Sequence, residues 1–440
     1  MIKSAMIILV CFIGFLVNAQ DFDRAKIDSL FAVIENNQKA MGSISIYRDG
    51  VEIYSRSIGY ASLEGERKAD ENTVYRIGSI SKTFTAAVVL KLVETGQLSL
   101  NSTLGEFYPQ FENADKITLE DLLRHRSGIY NFTNTPDYLS WNTRPFTRQE
   151  LLAKLLEFDP VFEPGARTEY SNSNYVVLTM IAEYASEKSF AELVREIVAE
   201  PCGLQKTAVG THIDVEGNEA SSYSKYGDWK TEVETDMSIP LGAGAVISTP
   251  GELNTFLHCL FQGDLLKKET LEEMTSLKDG FGMGLFQVPF YDKRALGHTG
   301  GIDGFQSVAV YFPEENLSVA YLSNGVDYPM NDILIGVMSI YFVMDYSLPE
   351  FTEALSLTEE QLEVYLGTYT SLDFPLDIFI TQKDGTLIGQ ATGQPSFPLE
   401  CFEEHKFRFE RAMLELEFFP DEDKMILRQG GGVFELSRME

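Results

Sequence analysis

The sequence predicts an α+β protein: an antiparallel sheet flanked by helices, with a helical block inserted between its first and last strands, followed by a small all-β domain. Three observations lead there. Alternating, strand-like runs stand near the start, in "GSISIYRDGVEIYSRS", and return only past residue 295, in "GFQSVAVYFPEENLSVAYLSNG". Between about residues 115 and 275 apolar residues recur at helical spacing instead. After "DYSLPEFTEALSLTEEQ" alternation resumes with a changed composition and short turn sequences, which marks a separate β module. The chain has 440 residues, more than a single core usually supports, so division into domains is expected.

The chain opens with Met1, Ile2 and Lys3, the apolar run "AMIILVCFIGFLV" and then "NAQ". This is the form of a signal peptide over residues 1–19, cut ahead of Gln20, and the run is too short for a comfortable membrane span. The mature protein is expected to be extracytoplasmic, periplasmic or secreted, without stable insertion in a membrane. A formal net charge of −31 excludes nucleic acid as a natural partner, because the field repels polyphosphates. Loss of the leader removes Cys11 and leaves Cys202, Cys259 and Cys401, an odd number too scattered for a zinc site. They are expected as buried, inert thiols in preference to a bridge.

The larger part spans residues 20–345. "RAKIDSLFAVIENNQ" places Ile27, Leu30, Phe31 and Ile34 on one helical face that packs on a sheet. The runs on either side of Arg48, Asp49 and Gly50 read as a hairpin closed by an Asp-Gly turn. "SKTFTAAVVLKLVETG" reads as a helix stopping at Gly96. "TLEDLLRHRSG", "TRQELLAKLLEF", "NYVVLTMIAEYASEK" and "SFAELVREIVAEPCG" supply the inserted helices, each with a polar start. Two strands about the turn "PEEN" and a helix near "MNDILIGVMSIYFVMDY" complete this part. Residues 346–358 form a linker, and residues 359–440 a small barrel-like domain with turns at "KDG", "PDEDK" and "GGG".

Chemistry concentrates at "VYRIGSISKTF", where Ser79 and Lys82 stand three apart at the start of a helix and so share a face. A serine hydroxyl needs a base and oxyanion donors to act as a nucleophile. By itself the pair is weak: Ser222 and Lys225 repeat the spacing in a polar stretch without a following apolar helix, and Ser79 alone reads as a helix cap in preference to a nucleophile. No G-x-S-x-G, H-E-x-x-H or Walker loop is present, and the five histidines include no pair at ligand spacing. Neither a metal nor an organic cofactor is expected.

Two further elements follow Ser79 in order: Tyr170 and Asn172 in "EPGARTEYSNSNY", and His298, Thr299 and Gly301 in "ALGHTGGIDGF". The ordered set Ser-x-x-Lys, Tyr-x-Asn and His-Thr-Gly resembles the active site of the serine β-lactamase and penicillin-recognising D,D-peptidase family. It is most similar to the Tyr-x-Asn branch, which holds class C β-lactamases, D,D-carboxypeptidases, D-aminopeptidases and related esterases. The resemblance implies a β-lactamase/transpeptidase-like fold and a serine hydrolase acting on a small-molecule or peptide substrate. It makes Ser79 the nucleophile, Lys82 the base or proton relay, Tyr170 the proton shuttle to the leaving group and His298 a tuning group. Asn172 and Thr299 would bind substrate, and the backbone N–H groups of Ser79 and Gly301 would form the oxyanion hole. The C-terminal module resembles the small β-barrel appendage of some secreted members.

Two departures stand out. His298 occupies a place where many β-lactamases have lysine. Gly301 stands where carboxylate-recognising members have a Ser or Thr hydroxyl, which implies a preference for neutral esters or amides. The competing expectation is a penicillin-binding-like sensor or scaffold without turnover; intact Ser79, Lys82, Tyr170 and His298 favour the enzyme.

Overall fold

The computed structural model describes residues 22–439 except 227, 264, 352–354 and 395, so the signal peptide expected over residues 1–19 lies outside the described residues. Helix α1 (Arg24–Asn36) starts where the Asp23 side chain accepts from the Lys26 N–H, and it buries Ile27, Leu30, Phe31 and Ile34 as its spacing demands. Strands β1 (Ala40–Arg48) and β2 (Val51–Ile58) form the hairpin. Its two turn residues, Asp49 and Gly50, have φ of 53° and 75°, the left-handed pair that matches strand twist in a tight hairpin.

Helix α2 (Ser81–Glu94) follows, buried along nearly its whole length, so it threads the core and does not lie on the surface. The inserted block contributes α3 (Asn172–Ser186) and α4 (Pro250–Phe261) among shorter helices. It also holds strands that hydrophobic periodicity did not reveal: the hairpin Tyr223–Tyr226/Asp228–Thr231, and the small sheet joining Tyr75–Arg76, Val246–Ser248 and Ala208–Val209. These strands are two to four residues long, too short to show a period.

Strands β3 (Phe286–Phe290), β4 (Lys293–Ile302), β5 (Phe305–Phe312) and β6 (Leu317–Val326) complete an antiparallel sheet in the order β3-β4-β5-β6-β1-β2. β6 is buried at every position because both sheet faces are covered. α1 and α5 (Met330–Tyr341) close one face over Ile44, Ile46, Val308, Val310 and Tyr321. The helical block closes the other over Ala309, Tyr311, Ala320 and Leu322.

Strands β7 (Gly367–Thr370) to β14 (Gly432–Arg438) form a closed eight-stranded barrel, shut by pairing of Tyr369 with Arg438. Its inward positions alternate as in Leu414, Leu416 and Phe418, so side chains fill the interior. The barrel is fastened to the six-stranded sheet by Lys39, whose ammonium lies 3.1 Å from Asp327, 3.4 Å from Glu400 and 2.7 Å from Glu410. Burial opposes the Lys39 charge, but the three carboxylates outweigh it and raise its pKa above the ordinary 10.5.

The expectation of unpaired thiols fails for two cysteines. Cys202 and Cys259 form a disulfide across a sequence separation of 57, tying α4 to the short helix that ends at Cys202, while Cys401 is a buried thiol. Spacing alone does not show that two helix ends meet. A loop of this size corresponds to about 4 kcal/mol in a chain-entropy account.

Candidate active site

The chain makes a 3₁₀ turn at Gly78–Ile80 before α2 begins, and Ser79 stands in that turn. The helix-cap reading of Ser79 fails, because Ile80 holds the cap position and Ser79 instead pairs with Lys82. The N-terminal end of α2 offers its dipole to negative charge forming beside Ser79.

Lys82 is fully buried, with its Nζ 2.7 Å from Asn172 Oδ1, 2.7 Å from the Ala243 carbonyl and 3.1 Å from Ser79 Oγ. Among the described residues no carboxylate pairs with it. Burial therefore drives its pKa well below 10.5 and favours the neutral amine. A neutral amine has two N–H groups and one lone pair. The two shorter contacts take the N–H groups, which leaves the lone pair for the Ser79 hydroxyl. This arrangement can draw a proton from Ser79 without first having to lose one.

The same contacts change the reading of Asn172. Its Oδ1 is taken by Lys82, its Nδ2 donates to Thr133 Oγ1 at 3.0 Å, and its backbone N–H donates to Asn131 Oδ1 at 2.9 Å. The side chain expected to bind substrate also holds the lysine. The Ala243 carbonyl is presented by Leu241–Ala243, where Leu241 has φ 42°, a conformation uncommon for a branched side chain and retained only where packing enforces it. Sequence reasoning missed Asn131, Thr133 and Ala243; the glycines of "LGAGA" were the one available signal. A Cβ at Gly242 would stand 2.2 Å from Thr179 Oγ1.

Tyr170 follows a loop held by Arg126, which pairs with Asp279 at 2.8 Å and donates to Thr168 Oγ1 at 3.1 Å. Its ring lies 4.9 Å from Lys82 Nζ and stacks on the buried His125 at 4.5 Å. Burial raises the Tyr170 pKa, partly opposed by its bond to Ser79, so the phenol keeps its proton. His125 fixes this loop from beneath: its Nδ1 accepts from the Ser171 N–H at 3.1 Å and its carbonyl accepts from the Glu169 N–H at 2.9 Å. The stretch "LLRHRSGI" therefore supports Tyr170 directly.

His298 sits on β4, buried, its ring 6.1 Å from that of Tyr170. Its Nδ1 is 2.5 Å from the Thr299 carbonyl, which fixes the proton on Nδ1. Burial, with Lys82 adding to it, pushes its pKa down to about 3, so the ring is uncharged at neutral pH. The Thr299 carbonyl thus serves His298, and the Thr299 side chain is exposed and outside the cavity lining.

β4 lies directly on the Ser79 turn. A Cβ at Gly78 would come within 2.8 Å of the Gly301 nitrogen, and one at Gly300 within 2.1 Å of the Ile77 carbonyl. Bare glycines let the two backbone segments approach, and Ser79 and Gly301 line one cavity. That cavity, about 580 Å³, is lined by Ser79, Asn172, Gly301, Tyr138, Glu232 and Asp303 among others. The second Ser-Lys pair has a structural use instead: Ser222 Oγ accepts from the Gly304 N–H and Lys225 binds Asp327.

A serine and a buried, base-competent lysine in one turn, under a strand that closes over them, define a serine hydrolase. The chain belongs to the β-lactamase family: the family model described as Beta-lactamase matches residues 30–335. Penicillin-binding protein 4* of Bacillus subtilis (strain 168) is 26% identical over 436 residues, covering 91% of this chain and 94% of that one. Teichoic acid D-alanine hydrolase of Staphylococcus aureus (strain MRSA252) is 25% identical over 316 residues, covering 70% and 75%. Among solved structures, the D-stereospecific amidohydrolase from Streptomyces sp. matches with a TM-score of 0.64 at 27% identity, over 73% of this chain and 100% of that one. No helix among the described residues is long and apolar enough to cross a membrane.

Proposed function

We propose that the protein is an extracytoplasmic hydrolase that cleaves an ester or amide of a D-amino acid through an acyl-enzyme on Ser79, with the chemistry in residues 20–345 and none in the barrel. The observation that carries this is the Lys82 geometry, two N–H groups spent on Asn172 and Ala243 and a lone pair left for Ser79. As Ser79 Oγ bonds to the substrate carbonyl carbon, Lys82 takes its proton and the carbonyl oxygen gathers charge at the Ser79 and Gly301 N–H groups. The carbon–leaving group bond then breaks as the Tyr170 hydroxyl supplies a proton, which Lys82 returns to Tyr170. Water reverses the steps and frees Ser79. His298 stays uncharged and shapes the pocket behind Tyr170.

Two relatives whose names specify D-alanine or D-stereospecific hydrolysis support the D-amino acid class. The leader-like start and the Cys202–Cys259 disulfide support a compartment outside the cytoplasm. Intact-mass spectrometry after a fluorophosphonate should show one adduct on the Ser79 peptide, absent in Ser79→Ala. D-alanine esters and amides should show sustained turnover. An adduct elsewhere, or turnover by Ser79→Ala, overturns the assignment; a burst without turnover across the panel would mark a sensor.

A further inference from the structure

Two acidic residues, Glu232 and Asp303, line the catalytic cavity, and Asp303 is spoken for. Glu234 and Asp303 share the buried Arg76 guanidinium, Asp303 at 3.1 Å. Asp303 also accepts from Thr235 Oγ1 at 2.6 Å, and the Ile213 N–H donates to Glu234 at 2.9 Å. These contacts fasten the segment after the hairpin Tyr223–Tyr226/Asp228–Thr231 to the turn between β4 and β5.

Glu232 differs. Its backbone is pinned, since its N–H donates to the Ser222 carbonyl at 2.8 Å while Ser222 Oγ accepts from the Gly304 N–H at 2.7 Å. The residue is therefore held beside the β4–β5 turn, which follows Gly301 at the end of β4. Glu232 lines the cavity and is half-buried, and among the described residues no cation or hydrogen-bond donor is seen to pair with its carboxylate. No described residue lining the cavity is Lys, Arg or His. A half-buried, unpaired carboxylate in a wall without a cation loses solvation and gains nothing from the protein, whereas a bound ammonium would repay it.

We propose that Glu232 is the specificity-determining residue that receives a protonated amine on the acyl part of the substrate. The preferred substrates then carry a free α-ammonium group, as an unblocked D-aminoacyl ester or amide does, and N-acylated substrates are disfavoured. The inference rests on the reading of Ser79 as the nucleophile and adds the charge class to it.

The test compares a D-alanine ester with its N-acetyl counterpart in wild type, Glu232→Gln and Glu232→Asp, with Ser79 labelling by a fluorophosphonate followed in parallel. A charge-assisted hydrogen bond corresponds to about ten- to a hundredfold in binding. Wild type should favour the free amine by tenfold or more in kcat/KM. That ratio should fall at least tenfold in Glu232→Gln and be largely kept in Glu232→Asp. D-alaninamide, but not N-acetyl-D-alaninamide, should also slow labelling of Ser79 in wild type and lose that effect in Glu232→Gln. Normal labelling with a ratio unchanged within threefold in Glu232→Gln overturns the role of Glu232 alone. A wild-type preference for the N-acetyl ester, or neither turnover of nor protection by the free amines, overturns the charge class. Absence of a Ser79 adduct overturns the nucleophile assignment and this inference with it.

Discussion

His298 is neutral because the protein takes it out of water, and that choice has a sign that can be measured. Its folded pKa is depressed from 6.5 to about 3, so between those values the unfolded chain binds a proton that the folded one refuses. Stability is fully present above about pH 6.5 and falls by about 1.4 kcal/mol per pH unit below it. Denaturant melts of wild type and His298→Asn from pH 7 to pH 4 should differ in slope by about one proton; parallel slopes would show the ring protonated in the fold. Neighbouring glycines make a second contrast. Gly300→Ala places a Cβ 2.1 Å from a backbone oxygen and should cost about 1–3 kcal/mol while slowing Ser79 labelling. Gly301→Ser meets nothing closer than 4.0 Å, should fold normally, and should raise kcat/KM about tenfold for substrates bearing a carboxylate. At this scale the sequence singled out Ser79, Lys82, Tyr170 and His298 by type and order, and the structure brings the four together. It hid the bond between Asn172 and Lys82, the contacts of His125 and the Ala243 carbonyl, because those depend on which loops meet.

Elements were legible in proportion to their length. The apolar spacing of α1 and the Asp-Gly turn between β1 and β2 are local, and both appear where the sequence placed them. The boundary of α2 was less so: the helix begins at Ser81, after a 3₁₀ turn that no periodicity shows and that sets the direction of Ser79. The Cys202–Cys259 bridge and the short hairpin carrying Glu232 also escaped, since each joins segments through tertiary packing.

For the whole molecule, Lys39 decides whether barrel and hydrolase sheet act as one body. Lys39→Met would leave Asp327, Glu400 and Glu410 facing one another with ligand atoms within 4.8 Å. Lys225 still pairs with Asp327 and Arg408 with Glu400 and Glu410, so the loss should be about 1–3 kcal/mol, with calorimetry resolving a separate barrel transition and proteases cutting the 346–358 segment faster. One cooperative transition, unchanged in temperature, would show that apolar contacts suffice. Because the Lys39 pKa is raised, its contribution is complete below about pH 10.5 and fades only as pH climbs beyond its folded value.

The order β3-β4-β5-β6-β1-β2 places the first strand of the chain beside the last strand of the sheet, Ala40 opposite Val326. During synthesis the β1–β2 hairpin, which ends at Ile58, must therefore wait with one edge unpaired until the strand Leu317–Val326 has followed it. Only then does the roof over Ser79 have a floor to rest on. Folding of this sheet is governed by a late, long-range search, and refolding from denaturant should be slow, on the order of milliseconds to seconds or longer, with Ser79 labelling recovered only in the final phase.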